Sequence, residues 1–357
     1  MEYPAVTRSI SALKRLGRIQ VGLLGADESA LDDHLAVLRF LPDYELIGIH
    51  EQSPGSNHTT QSDRFGPTIG SAKELISHPD VDLVAVVGAS PLARDHVRDA
   101  IAAGKDVFCD WPVLSDARTA YELAVLAERS GISDIIGLFP RVSQTTLYVG
   151  DLLAEGYVGN LCSVRLYANL SGAKASLPTS FPNSAQTISP IAELAVHFLD
   201  ALFSIVAWPL HFSSVVGSRD TPGDATSTAA RLRQLCAIGV IEGDGVFSAH
   251  FDEWSGPPAV QIDIAGDGGK LKIEAATNYN GENVAIEAFR KGDDRPHLLA
   301  IPRSYKWISS QQFPPRTVGL ANLYASFARD LHEGTHRTPT IGDAIKMLEL
   351  LQLIVEA

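Results

Sequence analysis

Short runs of branched apolar residues alternate with amphipathic stretches from residue 18 to about residue 140. Runs such as RIQVGLLG and DLVAVVGA are apolar almost throughout, which is typical of strands buried on both faces of a parallel sheet. Between the runs, stretches such as ESALDDHLAVLRFL repeat their apolar residues at helical spacing. This alternation predicts right-handed crossovers and a parallel sheet covered by helices on both faces.

The pattern changes after about residue 160, where strand-like segments follow one another through turn-rich loops. Segments such as GVFSAHFDEW and AVQIDIAG alternate apolar and polar positions, and GDGG at 266–269 reads as a turn. We expect a large, mostly antiparallel open sheet, whose free face is either solvated or covered by a second copy of the chain, and we favour a homo-oligomer. Two closing helices are predicted near 318–333 and 341–356, packed back on the body of the protein.

Composition narrows the class of protein. The chain has 357 residues, of which 45% are hydrophobic and 20% charged, enough for two domains with full cores. The net charge of -13 argues against contact with nucleic acid or an anionic membrane surface. Three widely spaced cysteines in apolar runs favour free thiols in a reducing compartment, and we expect a cytoplasmic protein.

The first predicted strand runs into GADESA, where a dinucleotide-binding loop would read G-x-G-x-x-G. Gly25 fits the tight turn, but Asp27 brings a carboxylate to the position where backbone amides normally approach a pyrophosphate. This carboxylate predicts weak or absent cofactor binding, and Asp27 also suits a cap on the following helix. Glu51 ends the second predicted strand, at the spacing of an acid that holds the ribose hydroxyls of NAD.

Two further segments, AIAAGKDVFCDWPV and AELAVHFLDAL, resemble the glucose-fructose oxidoreductase and inositol dehydrogenase family, Gfo/Idh/MocA, over nearly the full length of the chain. The resemblance implies an α/β protein with a Rossmann-type dinucleotide-binding domain over 1–140 and an α+β substrate and dimerisation domain over 141–357. It implies NAD or NADP as cofactor and a small-molecule substrate. Cofactor contacts are then expected from the predicted strand ends, at Gly25, Ala26, Asp27, Glu51, Ser90, Pro91 and Asp110.

The family motif AGKHVxCEKP is altered in this chain, which carries Asp110 for the glutamate and Trp111 for the lysine linked to proton transfer. With tryptophan at this position, the chain resembles the branch of the family that contains the yeast galactose-pathway repressor, a nucleotide-binding sensor. An indole only donates a hydrogen bond, so Trp111 cannot act as a base. It offers a flat apolar face to a ligand, and the alternative is that it fills the seam between domains.

Three ionisable residues, Glu193, His197 and Asp200, are spaced by four and then three positions in an apolar stretch. On a helix they fall within an arc of roughly 60°, so they can face one site. The resemblance matches them to the family's D-x-x-x-H-x-x-D motif, in which the histidine meets the substrate oxygen. We therefore predict catalytic roles for His197, Glu193, Asp200 and, as a contact surface, Trp111; the alternative is a histidine satisfied inside a buried helix.

The favoured interpretation is an NAD(P)-dependent oxidoreductase acting on a hydroxyl or carbonyl of a small metabolite, with His197 as the remaining acid/base. A redox-silent dehydratase, isomerase or cyclase that uses His197 and Glu193 is the second interpretation, and a nucleotide- or metabolite-sensing regulator is the third. No metal is expected, because two carboxylates and one histidine on one helix need further ligands.

Overall fold

The computed structural model of the protein describes residues 17–25, 28–51, 67–88, 90–111, 116–171, 190–209, 211–219, 232–253, 256–275, 284–309 and 311–356. Ala26 and Asp27, two of the predicted cofactor contacts, lie outside these ranges. The described residues form two compact units. The first holds those up to Phe139 together with Leu320–Glu349, and the second holds the remainder. No helix in the described ranges is long and apolar enough to cross a membrane.

The first unit is built on a parallel sheet whose described strands are joined by helices. The strands are β1 Ile19–Gly25, β2 Tyr44–Glu51, β3 Leu83–Val87, β4 Asp106–Cys109 and β5 Asp134–Ile136. The helices between them are α1 Glu28–Phe40, α2 Ala72–Ile76, α3 Ala93–Ala102 and α4 Ala117–Ser130.

Local sequence explains these elements. Strands β3 and β4 are buried at every position, as expected for parallel strands with both faces covered. Helix α4 begins where the Asp116 side chain accepts a hydrogen bond from the Thr119 amide. It ends at Gly131, whose φ of 65° is the left-handed conformation that glycine adopts without strain.

The order of the strands in the first sheet is β2-β1-β3-β4-β5. The chain therefore leaves β1 toward one edge, forms β2, and returns across β1 to form β3. Open α/β sheets bind ligands beyond the carboxyl ends of the strands where this reversal occurs. Here the reversal lies between β1 and β3, so the residues that follow these two strands are in the position of a binding site.

The chain closes with α7 Pro315–Glu333 and α8 Ile341–Glu356, and Leu320–Glu349 belongs to the first unit. Within that unit the Tyr324 ring stacks on Phe108 of β4, with 4.9 Å between ring centroids. The Tyr44 hydroxyl of β2 donates a 2.7 Å hydrogen bond to the Tyr324 carbonyl oxygen. A late segment of the chain thus completes the core around the first sheet.

The second unit contains a larger sheet in the order β13-β12-β11-β10-β6-β9-β8-β7. Its described strands are β6 Leu161–Asn169, β7 His211–Arg219, β8 Leu232–Ile241, β9 Gly245–Asp252, β10 Ala259–Gly266, β11 Gly269–Ala275, β12 Val284–Arg290 and β13 His297–Leu299. Neighbouring strands pair antiparallel except β6 with β9, which are parallel. The predicted fold class, a parallel sheet plus a larger, mostly antiparallel one, is confirmed.

Two helices of the second unit carry its candidate chemistry, α5 Gln144–Ala154 and α6 Pro190–Val206. They pack closely, because a Cβ atom added to Gly150 of α5 would lie 2.9 Å from Cγ2 of Ile205 on α6. Glycine at this position lets the two helix backbones approach. A short 3-10 helix, Phe139–Val142, precedes α5 and brings Arg141 to α6.

Candidate functional site

Predicted cofactor residues of the first unit lie in one row at the carboxyl ends of the strands. In the parallel register, Gly25 of β1 is opposite Glu51 of β2 on one side and Val87 of β3 on the other. Gly88 follows Val87, and its amide donates a 2.9 Å hydrogen bond to the Asp110 carboxylate beyond β4. The structure therefore brings Gly25, Glu51 and Asp110 to the same edge of the sheet.

Gly25 leaves no room for a side chain between the end of β1 and Leu31 of α1. A Cβ atom on this residue would lie 2.3 Å from both Cγ and Cδ2 of Leu31, so the strand end packs directly against α1. Helix α1 begins at Glu28, three positions further on. The unpaired amides of a helix N-terminus favour an anionic group, and this geometry suits a phosphate carried past the end of β1.

The Glu51 carboxylate provides a test of whether a nucleotide fits. Its Oε2 atom is buried and accepts no hydrogen bond from any residue in the described ranges. A buried acceptor without a donor is costly, whereas a ribose offers hydroxyl donors to an acid at the end of β2. Glu51, Gly25 and the start of α1 are thus suited to an NAD-type nucleotide.

Asp110 is held by two elements besides its own strand. One carboxylate oxygen accepts the Gly88 hydrogen bond, and the other lies 3.3 Å from Nε2 of His34 on α1. His34 is buried, and its Nδ1 atom lies 2.8 Å from the Tyr324 hydroxyl. Sequence reasoning missed His34 and Tyr324, since their only local signal is a polar residue on an apolar helix face.

Trp111 follows Asp110 and is 4% exposed. Its Nε1–H finds no acceptor among the described residues. A buried donor left unpaired costs roughly 1–3 kcal/mol, and the ligand contact expected of the indole stays a prediction. The backbone of Trp111 is also confined, because a Cβ atom on Gly137 would lie 2.8 Å from its amide nitrogen.

Ser90 and Pro91 lie in the turn that leads from β3 into α3. The Ser90 hydroxyl accepts a 3.1 Å hydrogen bond from the Leu92 amide, and Pro91 is exposed. This local bond shapes the start of the helix, and the exposed proline has no polar group to offer beyond its carbonyl oxygen. The two residues are at the carboxyl end of β3, as predicted, and their part in cofactor binding stays a prediction.

Helix α6 of the second unit carries the other predicted site residues. Glu193, His197 and Asp200 are all buried, with His197 only 3% exposed. Their spacing places them on one face of a helix whose other positions are almost all apolar. Three buried ionisable groups on one apolar helix are costly unless they are paired or used.

Asp200 has a strong partner. Arg141 donates from Nε to one carboxylate oxygen at 3.0 Å and from Nη2 to the other, a two-pronged ion pair. Such pairs fix geometry as well as charge. Arg141 was not among the predicted site residues, because it lies 59 positions from Asp200 and follows no periodic pattern.

Glu193 has unusual acidity. Burial raises the pKa of its carboxyl group from 4.5 to about 7, since the low-dielectric surroundings disfavour the charged form. Near neutral pH this group can therefore hold or release a proton. His197 lies one helical turn away on the same buried face of α6, so an imidazole and this carboxyl group are neighbours there.

No group of three or more His, Cys, Asp or Glu side chains in the described ranges is arranged to hold a metal ion. Within those residues the candidate chemistry consists of the strand-end row in the first unit and, in the second, the face of α6 that holds Glu193, His197 and Asp200.

Comparison with known proteins connects this geometry to a family. Residues 19–135 match the model for the Gfo/Idh/MocA family, described as an oxidoreductase family with an NAD-binding Rossmann fold. An inositol 2-dehydrogenase from Acidothermus cellulolyticus is 27% identical over 193 residues, which is 53% of this chain and 53% of that protein. The matched stretch thus spans about half the length of that relative.

Two longer similarities extend over both units. The scyllo-inositol 2-dehydrogenase (NADP(+)) IolW of Bacillus subtilis is 19% identical over 96% of this chain and 95% of its own length. An NAD binding oxidoreductase from Klebsiella pneumoniae has a similar structure, with a TM-score of 0.73 at 16% identity, covering 95% of this chain and 96% of that one. The structural likeness supports the fold.

Proposed function

We propose that this chain, whose first unit carries the Rossmann fold of the Gfo/Idh/MocA oxidoreductase family, is an NAD-dependent dehydrogenase that oxidises a hydroxyl group of a polyhydroxylated ring. The strand-end row at Gly25 and Glu51 carries this proposal, because it combines a strand end packed against α1 with a carboxylate whose buried Oε2 atom has no donor in the described ranges. A bound nicotinamide cofactor accepts or supplies the hydride.

Glu51 also favours NAD over NADP. Its carboxylate suits the two hydroxyls of an unmodified ribose, whereas a 2′-phosphate would bring like charges together. At about 4 Å and an effective dielectric constant near 20, that repulsion is on the order of 4 kcal/mol. We expect NADH to bind at least about tenfold more tightly than NADPH.

The proton of the substrate hydroxyl is assigned to α6. His197 is proposed as the acid/base that takes this proton, because an imidazole titrates near neutral pH. Glu193 holds or releases a proton in the same range, owing to its raised pKa. Trp111 supplies no proton transfer and is proposed to donate its indole hydrogen bond to a ligand oxygen.

The substrate class follows from the relatives. Two proteins similar to this chain are named for inositol oxidation, and one of them matches over nearly its whole length. An inositol presents several hydroxyls, which need hydrogen-bonding partners, and an apolar ring face, which suits an aromatic side chain. We therefore propose a cyclic polyol or a sugar as substrate.

Fluorescence titration with NADH and NADPH, followed by assays with inositols and NAD, tests the proposal. We expect NADH binding, reduction of NAD by at least one cyclic polyol, and loss of turnover in His197→Ala with the fold retained. The exposed His211 of β7 provides a matched control, and His211→Ala should keep its activity. Absence of binding to both nucleotides would refute the dehydrogenase proposal.

A redox-silent enzyme is the second candidate, because Trp111 lacks a titratable group while α6 carries two groups suited to moving protons. A dehydratase or isomerase would need His197 and Glu193 without any nicotinamide. Polyol conversion that proceeds in the absence of added and bound NAD, detected by NMR of the sugar, would favour this candidate.

We also propose that two copies of the chain associate through the open face of the larger sheet. Val216, Ile238 and Val246 are exposed apolar residues on three adjacent strands. The register places them on one face of the sheet. Exposed apolar groups gathered in this way favour association, and light scattering after gel filtration should show a dimer or a larger oligomer.

A further inference from the structure

A continuous chain of polar contacts runs through the core of the first unit to the segment that carries Trp111. The Tyr324 hydroxyl lies 2.8 Å from Nδ1 of His34, and Nε2 of His34 lies 3.3 Å from the Asp110 carboxylate. His34 and Tyr324 are buried, and Asp110 immediately precedes Trp111. The three groups come from α7, α1 and the end of β4, so they join distant parts of the chain.

Hydrogen-bond donors and acceptors are matched along this chain of contacts. Burial raises the pKa of Tyr324 well above its usual range, so its hydroxyl keeps its proton and can donate to Nδ1 of His34. Nε2 of His34 faces the Asp110 carboxylate at 3.3 Å, and a carboxylate can only accept a hydrogen bond, so the proton of this contact comes from the imidazole. The second carboxylate oxygen accepts the Gly88 amide at 2.9 Å, which directs the Asp110 side chain toward the end of β3.

The aromatic surroundings hold the imidazole in this orientation. The His34 ring meets Phe108 and Tyr324 edge-on, with centroids 5.0 and 5.6 Å away. Rotation of the ring would break both polar contacts and both edge-to-face contacts together. Buried networks of this kind define one geometry only when every member is satisfied.

We propose that His34 and Tyr324 are positioning residues of the nucleotide site: acting through Asp110, they fix the backbone on which Trp111 is carried. This inference rests on the proposed function, because the strand ends at Gly88 and Asp110 are where the cofactor is proposed to bind. His34 and Tyr324 touch neither substrate nor cofactor in this role. They set the orientation of Asp110, and Asp110 sets the segment that meets the ligand.

Two tyrosines of the same cluster allow a matched test in the full-length protein. Tyr324→Phe removes the hydroxyl that contacts His34, whereas Tyr44→Phe removes a neighbouring buried hydroxyl that bonds the backbone of Tyr324 and of Ala328 and makes no contact with His34 among the described hydrogen bonds. Both variants lose one buried, hydrogen-bonded hydroxyl and keep the ring. The melting temperature should therefore fall by a similar amount in the two variants.

Equilibrium titration with NADH separates positioning from packing. We expect Tyr324→Phe to raise the Kd for NADH by about three- to tenfold and Tyr44→Phe to change it by less than about twofold. His34→Gln, which keeps an amide donor for Asp110, should bind NADH more tightly than His34→Phe. Equal Kd values for the two tyrosine variants, or a wild-type Kd in Tyr324→Phe, would overturn the inference.

The titration of the wild type distinguishes a failure of the positioning role from a failure of the proposed function. NADH binding by the wild type with no difference between the tyrosine variants overturns only the positioning role. No binding of NADH or NADPH by the wild type refutes the proposed function, and the positioning role with it. If His34→Phe does not fold, the tyrosine pair alone decides between the outcomes.

Discussion

Asp200→Asn tests whether the Asp200 carboxylate holds Arg141 in place. The substitution keeps the shape of the side chain and removes its charge. The Asp200 side chain is 0% exposed and that of Arg141 is 15% exposed, so the remaining guanidinium would be left largely desolvated. Removing one partner of a buried ion pair costs about 3–5 kcal/mol. Two hydrogen bonds to Arg141 are weakened at the same time.

Urea unfolding followed by circular dichroism measures this loss. We expect the free energy of unfolding to fall by about 3–5 kcal/mol in Asp200→Asn. Adding Arg141→Met should restore part of the loss, because the uncompensated charge is then gone. Arg118→Met is the control: it breaks the exposed pair with Glu122 and should cost less than about 1 kcal/mol.

The outcome also decides how Asp200 contributes to activity. A loss below about 1 kcal/mol in Asp200→Asn would refute the structural role derived from the ion pair. The same conclusion would follow if Arg141→Met did not relieve the effect of Asp200→Asn. An Asp200→Asn protein of wild-type stability and without turnover would instead make the carboxylate a participant in the chemistry.

Three further predictions concern Glu193 and two glycines. Burial raises the folded-state pKa of Glu193 from 4.5 to about 7, so its contribution to stability is complete below pH 4.5 and is lost as the pH rises through 7. Relative to Glu193→Gln, the free energy of unfolding should fall by up to about 3 kcal/mol across this pH range. A difference between the two proteins that does not change with pH would contradict the raised pKa. Gly25→Ala should lower the free energy of unfolding by about 1–3 kcal/mol, measured by urea unfolding, and adding Leu31→Val should recover part of this loss. An unchanged free energy of unfolding in Gly25→Ala would show that α1 does not pack on the strand end. Gly137→Ala places a methyl group against the Trp111 backbone and should lower both the melting temperature and the affinity for NADH. An unchanged affinity would show that the contact between Gly137 and Trp111 does not affect nucleotide binding.

Short-range rules predict the strand-end row well. The apolar runs mark β1 and β2, and the residues that end them, Gly25 and Glu51, are adjacent in the parallel register. Carboxyl ends of parallel strands share one edge, so local patterns are sufficient to bring these residues together. The helical spacing of Glu193 and His197 is local information of the same kind.

Contacts between distant parts of the chain are absent from such patterns. His34 and Tyr324 are 290 positions apart, and each is a polar residue on a largely apolar face of its own helix. The pairing of β6 with β9 is parallel inside a sheet that is otherwise antiparallel, and no periodicity records which strands become neighbours. Side-chain partners of this kind are set by tertiary packing, which only the folded structure shows.

The late arrival of Tyr324 in the first unit affects how the protein is made. The ring that stacks on Phe108, and the carbonyl that accepts the Tyr44 hydroxyl, are synthesised long after both of these residues. At ordinary translation rates the interval is on the order of 10 to 40 s, during which the nascent chain exposes that aromatic surface on the ribosome. A gene fragment ending at residue 140 would produce the same incomplete core permanently, and its expression should require a chaperone or a supplied C-terminal segment.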